Sequence, residues 1–329
     1  MLEHGGRLRA AAKRWGIPLA DWLDLSTGIA PWGYPVPATS ARAWRCLPED
    51  GDGLEQAAAA YYGASRLLVL PGSQAAIMAL PRLRAHGTAA ILAPSYGEYA
   101  AAWQAAGHAL RPFAPEELDS VAAGGDVVML ANPNNPTGAR FAHERLLEAA
   151  RVLHRRGGML VVDEAFADAE GAPSLAPLAG GPAAPNVVVL RSLGKFFGLA
   201  GARVGFAFAA ADLLDRLREA VGPWAVAHPA REAAQAALAD TAWQALQRER
   251  LHAASARLER MLMDAGLDAS SGTALFRYVV TPRAAIVAEE LARQGILVRR
   301  FEAPPALRFG LPGDESEWKR LAEALRRAA

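Results

Sequence analysis

The sequence predicts an α/β fold with a mainly parallel central sheet, its faces covered by helices. Two observations carry this: short apolar runs recur along the first two thirds of the chain, and helical patterns separate several of them. In order, LLVL (67–70), AAILA (89–93), DVVMLA (126–131), GMLVVD (158–163), NVVVLRS (186–192) and ARVGFAFA (202–209) read as buried strands. Helical patterns run from Ser73 to Ala85, from Glu98 to Ala106 and from His143 to Arg156. Beyond about residue 210 the pattern changes. Helical sequence dominates from Glu232 to Ala265, followed by strand-like ALFRYVV (274–280), a helix, GILVRRF (295–301), ALRFGL (306–311) and a final helix. This reads as a second, smaller α+β unit. The expected division is an N-terminal arm over 1–45, a large unit over 46–230, and a connecting helix with a small unit over 231–329. The arm, rich in Pro, Gly and Trp, is expected to join the small unit or lie across the cleft.

At 329 residues the chain exceeds what one small core needs. Apolar residues make up 52% and charged residues 21%, the balance of an ordinary globular protein. The formal net charge is +1, with acids and bases interspersed, so no nucleic-acid or membrane surface is indicated. The one cysteine, Cys46, permits neither an internal disulfide nor a cysteine-rich metal site. The opening MLEHGGRLRAAAKRWG lacks the apolar core of a signal peptide, and no run approaches a membrane span. The expectation is a cytoplasmic protein.

Ligands of open α/β sheets gather at the carboxyl ends of the strands, so the residues there carry the functional reading. LLVL is followed by Gly72, Ser73 and Gln74 at a helix start, where N–H groups and the helix dipole attract phosphate. Gly-Ser before a helix is also an ordinary cap. AAILA is followed by PSYGEYA, with Tyr96 placed to stack on a flat ligand or to fill core. DVVMLA leads into NPNNPTG (132–138), an irregular polar turn able to hold the Asn135 amide rigidly. GMLVV ends on Asp163, a carboxylate that is costly at the end of an apolar strand unless partnered. NVVVL leads into Ser192 and Lys195, and Arg203 follows. A lysine in apolar sequence is usually a surface residue with a buried stem. Together these residues supply what pyridoxal phosphate needs: an amine for its aldehyde, an anion for its ring nitrogen, donors for its phosphate and a stacking surface.

The order GSQ, PSYGEY, NPNNPTG, DEAF, SLGK and GARVGF resembles the fold-type I pyridoxal-phosphate enzymes of the class I/II aminotransferase superfamily over nearly the whole chain. The opening HGGRLRAAAKRWGIPLADWLDLSTGIAPWGYP resembles, more narrowly, the threonine-phosphate decarboxylases of cobalamin biosynthesis, close relatives of the histidinol-phosphate aminotransferases. The resemblance implies pyridoxal 5'-phosphate as cofactor, Lys195 as its Schiff-base lysine and proton shuttle, and Asp163 as partner of the ring nitrogen. It implies Asn135 as donor to the ring's phenolic oxygen and Tyr96 on the ring face. Ser73, Gln74, Ser192 and Arg203 would hold the phosphate. Gly198, Gly201 and Gly205 would let backbone pass close to the cofactor and turn sharply. For a small phosphorylated amino-acid substrate, Arg308 in LRFG and Arg299 in ILVRR match the family's anion-binding arginines, with Arg300 as the neighbouring register. His4 reaches a substrate phosphate if the arm folds over the cleft; otherwise it belongs to a mobile terminus. A homodimer is implied as well.

Two positions depart from the relatives' pattern. Phe166 stands where many have tyrosine, and Leu47-Pro48 stands where many have Tyr-Pro, the tyrosine of which reaches the neighbouring subunit's cofactor. Tyr61 and Tyr62 are not assumed to replace it. The motifs leave decarboxylase and aminotransferase both open. A P-loop ATPase is not supported: in the register of Gly194-Lys195 the first P-loop position is Val189 and the last is Phe196. A non-catalytic protein on this fold is expected to lack the lysine, and Lys195 is present.

Overall fold

A computed structural model describes residues 4–268 and 271–328. The strands, in chain order, are β1 (Leu23–Asp24), β2 (Leu67–Leu70), β3 (Thr88–Leu92), β4 (Ala109–Phe113), β5 (Val127–Ala131), β6 (Met159–Asp163), β7 (Val187–Ser192) and β8 (Gly205–Phe208). They continue with β9 (Ser271–Thr273), β10 (Phe276–Val280), β11 (Ile296–Leu297), β12 (Arg299–Glu302) and β13 (Pro305–Gly310). The first four helices are α1 (Leu8–Trp15), α2 (Leu54–Tyr62), α3 (Ser73–Ala79) and α4 (Gly97–Ala105).

The large sheet has seven strands in the order β2-β8-β7-β6-β5-β3-β4. Every pairing is parallel except the two made by β8, which runs antiparallel between β2 and β7. The central strands are buried along their whole length, which is why they read as unbroken apolar runs. Alternate residues enter different cores. Val128, Leu130, Leu160, Val162, Val187 and Val189 face one core, which is continuous with the second unit. Met129, Met159, Val161, Val188 and Leu190 face the other, which α3 and α4 close with Ile77, Tyr99 and Trp103. The strand period of two therefore dictates which residues at the strand ends share a face.

The second sheet is antiparallel, in the order β12-β13-β10-β9. A parallel pair, β1 with β11, attaches the N-terminal segment beside it. Helix α1 packs there through Ala11, Trp22 and Ala292. The same segment also reaches the large sheet, where Ala30 N–H donates to Lys195 O (3.0 Å) and Tyr34 N–H to Phe197 O (2.8 Å).

Several boundaries differ from the sequence reading. The run from Glu232 to Ala265 is two helices, His228–Ala239 and Thr241–Asp264, broken at Asp240, whose carboxylate accepts from Trp243 N–H (2.9 Å). The helix from Ser73 stops at Ala79 and tightens into a 3₁₀ turn over Leu80–Leu83, where Pro81 has no N–H to offer. The strand read over 202–209 begins at Gly205, and Arg203 sits before it in a left-handed turn at φ 54°. Strand β4, ALRPF, escaped the pattern because it is an edge strand with exposed polar positions and an internal proline.

Candidate active site

Asp163 ends β6 and Ser192 ends the adjacent β7, both on the face closed by α3 and α4. Glu164 and Arg191, one residue away on each strand, turn to the opposite face and pair with each other (2.8 Å). Asp163 is buried, and burial pushes its carboxyl up. Against this, Tyr99 OH donates to Oδ2 (2.8 Å), Ala165 N–H donates to Oδ1 (2.9 Å), and the Lys195 charge lies nearby. It makes no ion pair among the described residues, so the anion has hydrogen-bond donors but lacks a paired cation.

After Ser192 the chain turns at Gly194 and presents Lys195. Its Nζ donates to Thr27 O (3.4 Å) and lies 5.4 Å from the centre of the Phe166 ring. Burial, with Arg308 and Arg203 adding like charge, pulls this amine down to about 8, although Asp163 opposes the shift. Phe166 gives the lysine an apolar wall and no phenol. Gly198, at φ +66°, meets Gly33 so closely that an added Cβ would lie 2.5 Å from its Cα. Gly205 is equally constrained, since a Cβ there would lie 2.5 Å from Ser73 N. Gly201 differs: its Cβ position has nothing within 4 Å, so close approach of this chain does not explain it.

The NPNNPTG turn divides its labour. Asn132 exchanges hydrogen bonds with the Phe141 backbone (3.1 and 3.2 Å). Asn134 is buried, accepting from Ser95 Oγ and donating to Pro94 O and Thr137 Oγ1. Both asparagines build the turn, which carries cis peptide bonds before Pro133 and Pro136. Asn135 is left to face the cavity, where its Oδ1 accepts from Arg308 Nη1. That contact leaves the Asn135 Nδ2 amide as the group for a ligand.

A cavity of about 150 Å³ collects Ser73, Gln74, Tyr96, Asn135, Asp163, Ser192, Lys195 and Arg203. Every residue the sequence assigned to the cofactor lines it. Tyr96 donates to Gln74 Oε1 (3.1 Å) and its ring lies edge-on to Tyr99. Burial, then Glu98 and Asp163, push its hydroxyl up to about 12, so it stays a neutral phenol. Arg203 donates to Ala200 O (3.2 Å) and has no carboxylate partner among the described residues. Tyr99, Thr27 and Ser26 were not foreseen. A signal existed for Tyr99 alone: Tyr96, Tyr99 and Trp103 share one helical stripe.

Arg308 is buried on β13, next to this cavity. Its Nη2 donates to Ser26 O (2.5 Å), and Nε has no partner among the described residues. Burial, with Arg299 beside it, pulls its guanidinium down to about 10. Arg299 is the cross-strand neighbour of Arg308 on β12. Arg300 is exposed and pairs with Glu302 (3.1 Å). Arg299 and His4, with Ser26, line a second cleft of about 360 Å³. Tyr61 OH donates to Asp168 Oδ1 (3.1 Å), and the Tyr62 ring lies under Arg191. Leu47 is exposed.

The donor set fits pyridoxal 5'-phosphate. A buried carboxylate without a paired cation matches the ring nitrogen, and a lysine with a lowered pKa matches the aldehyde. Arg203, Ser192 and the N-terminus of α3 match the phosphate, and Asn135 Nδ2 matches the phenolic oxygen. No cluster of metal-ligating side chains occurs among the described residues, and no helix there is long and apolar enough to cross a membrane.

Comparison with known proteins agrees with this geometry. The profile of aminotransferase class I and II matches residues 45–325. The threonine-phosphate decarboxylase of Pseudomonas aeruginosa is 54% identical over 325 residues, covering 99% of this chain and 97% of that protein. Among solved structures, the L-threonine-O-3-phosphate decarboxylase of Porphyromonas gingivalis superposes with a TM-score of 0.76 at 22% identity, over 92% of this chain and 98% of that one. The histidinol-phosphate aminotransferase of Sinorhizobium meliloti, in complex with pyridoxal-5'-phosphate, reaches 0.80 at 23% identity, over 100% and 98%.

Proposed function

Because the chain belongs to the class I and II aminotransferase family and, within it, to the threonine-phosphate decarboxylases, we propose that it converts L-threonine O-3-phosphate to (R)-1-aminopropan-2-ol O-phosphate and CO2. The product would enter cobalamin assembly in the cytoplasm. The observation that carries this reading is the pair Arg308 and Arg299, cross-strand neighbours on β13 and β12, with Arg308 hydrogen-bonded to Asn135 of the cofactor cavity. Two guanidiniums side by side suit a substrate with two anionic groups.

Pyridoxal phosphate, when bound, supplies an electron sink for the pair of electrons left when a bond to the substrate Cα breaks. Asp163 keeps a negative charge at the ring-nitrogen end, held by Tyr99 and the Ala165 amide. Arg308 Nη1 and Nη2 are already oriented by Asn135 and Ser26, so a carboxylate meets a fixed fork. Its unpartnered Nε adds a donor. Arg299, with His4 in the same cleft, would take the phosphate. After CO2 leaves, a proton must return to Cα, and Lys195 Nζ is the amine in reach of the cavity to deliver it.

The deciding assay offers L-threonine O-3-phosphate alone, then histidinol phosphate with 2-oxoglutarate. CO2 from the first with little glutamate from the second is expected. Efficient glutamate formation without CO2 would place the chain on the aminotransferase branch. Arg308→Lys should lower kcat/KM by about 1.5–3 kcal/mol, the worth of hydrogen bonds to a charged group, because an ammonium cannot reproduce the fork.

We also propose a homodimer. The end of the arm and the residues just after it expose large apolar side chains, Trp44 at 72%, Leu47 at 60% and Val36 at 49%, which a second copy would cover. Light scattering should give twice the 34.8 kDa of the chain. A stable monomer at micromolar concentration would count against it.

A further inference from the structure

We propose that Glu98 is the positioning residue for the phosphate end of the substrate site, holding His4 and with it residues 4–6 across the mouth of the cavity. The proposal rests on the decarboxylase reading above, in which His4 meets the substrate phosphate. His4 Nε2 donates to Glu98 Oε1 at 2.6 Å, a contact spanning 94 positions of sequence. Glu98 lies in the first turn of α4, where the helix dipole favours a carboxylate. It follows Tyr96 by two residues, and the His4 ring centre lies 5.7 Å from that of Tyr96. The carboxylate side chain is 20% exposed and His4 is 37% exposed, so the pair is half sheltered at the rim.

The other side of the arm is fastened to Ser26. Gly6 N–H donates to Ser26 Oγ (2.8 Å), and Gly5 lies so close that a Cβ there would be 2.3 Å from Ser26 O. Ser26 O is the same atom that accepts from Arg308 Nη2. Residues 4–6 therefore bridge the wall that carries Arg308 and the wall that carries Tyr96, and Glu98 supplies a polar attachment on the second wall.

The chemistry gives the contact a direction. With Nε2 donating to the carboxylate, Nδ1 is the other ring nitrogen, and it donates to an anion when the ring carries both protons, the form that a carboxylate and a phosphate on either side favour. Holding Nε2 fixes where Nδ1 lies. Glu98 also needs the partner: an uncovered carboxylate at the rim would repel the phosphate that Arg299 attracts. An ion pair this accessible adds little to global stability, so its effect belongs in substrate binding rather than in melting temperature.

The test compares four cofactor-loaded proteins: the parent, Glu98→Ala, His4→Ala and the double variant, with Glu98→Gln as the conservative change. Hydrogen exchange without substrate reads the arm directly. Glu98→Ala should raise exchange over residues 4–7 to the level of His4→Ala, while Glu98→Gln, which keeps an acceptor, stays near the parent. With L-threonine O-3-phosphate, Glu98→Ala should raise KM by ~10-fold, as for loss of a charged hydrogen bond, and leave kcat within about twofold. The double variant should be no worse than His4→Ala, because both changes break one contact. Unchanged exchange in Glu98→Ala overturns the proposal, and so do KM effects that multiply in the double variant. If the parent releases no CO2, the substrate reading fails, and the exchange arm still decides whether Glu98 holds His4.

Discussion

Replacing Lys195 by alanine should reduce turnover by about 10⁴-fold or more, since one residue supplies both the covalent anchor and the proton carrier. The chain has three lysines, and the other two, Lys13 and Lys319, are exposed and far from the strand ends that form the cavity. Borohydride treatment of the parent should therefore fix the cofactor on the peptide containing Lys195. In Lys195→Ala no peptide should carry it, even if the phosphate site still binds. The lowered pKa adds a pH signature. Only the neutral amine attacks an aldehyde, so capture of pyridoxal phosphate by the cofactor-free parent should accelerate as pH rises and level off above about 8. Mass spectrometry of the reduced adduct and absorbance-monitored capture check both points. An adduct on Lys13 or Lys319, or capture that does not vary between pH 6 and 9, would remove the core of the assignment.

Arg191→Ala should cost about 3–5 kcal/mol of folding stability, the usual result of stripping one partner from a buried ion pair. Arg191 is 5% exposed and lies 4.7 Å over the centre of the Tyr62 ring. Its Nη1 donates to Glu164 Oε2 (2.8 Å) and its Nη2 to Asp168 Oδ1 (2.5 Å), both carboxylates buried. Removing the guanidinium leaves two anions in a site that water enters poorly. Burial alone would lower Arg191, but the charges of Asp168 and Glu164 outweigh it and hold it above its ordinary value. Arg191→Lys should fall between, because one ammonium cannot serve two carboxylates at fixed angles. Urea denaturation of the cofactor-free proteins measures this. A loss below about 1 kcal/mol for Arg191→Ala would mean that the network relaxes or admits water.

The strand ends were the legible part of this chain. Asp163, Ser192 and Lys195 stand out because polar residues follow runs such as GMLVV and NVVVL; parity places Asp163 and Ser192 on one face, and the turn after Ser192 adds Lys195. NPNNPTG marks the turn, though only the structure shows that Asn132 and Asn134 build it and Asn135 is spared. What sequence hid was long-range. Thr27 and Ser26 reach Lys195 and Arg308 through backbone carbonyls, which carry no residue signature at all. The breaks at Ala79 and Asp240 were obscured by alanine-rich sequence, in which helix propensity is high on both sides of a real boundary. Edge strand β4 lacked the apolar run because one of its sides is open to water.

The reversed strand β8 has a consequence for synthesis on the ribosome. It follows directly on Arg203, the last contribution to the cavity, and lies beside β2, which leads into the first contribution, Ser73. A nascent chain that has emerged only through β6 holds Ser73, Tyr96, Asn135 and Asp163 but lacks both Lys195 and Arg203. It has the anion and no amine. Translation must run past residue 208 before β8 can slot between β2 and β7 and bring the two ends of the cavity together. Vitamin loading therefore cannot guide the early stages of this chain's emergence. It comes after the sheet is complete, and a cell short of the vitamin would accumulate finished, empty protein rather than stalled fragments.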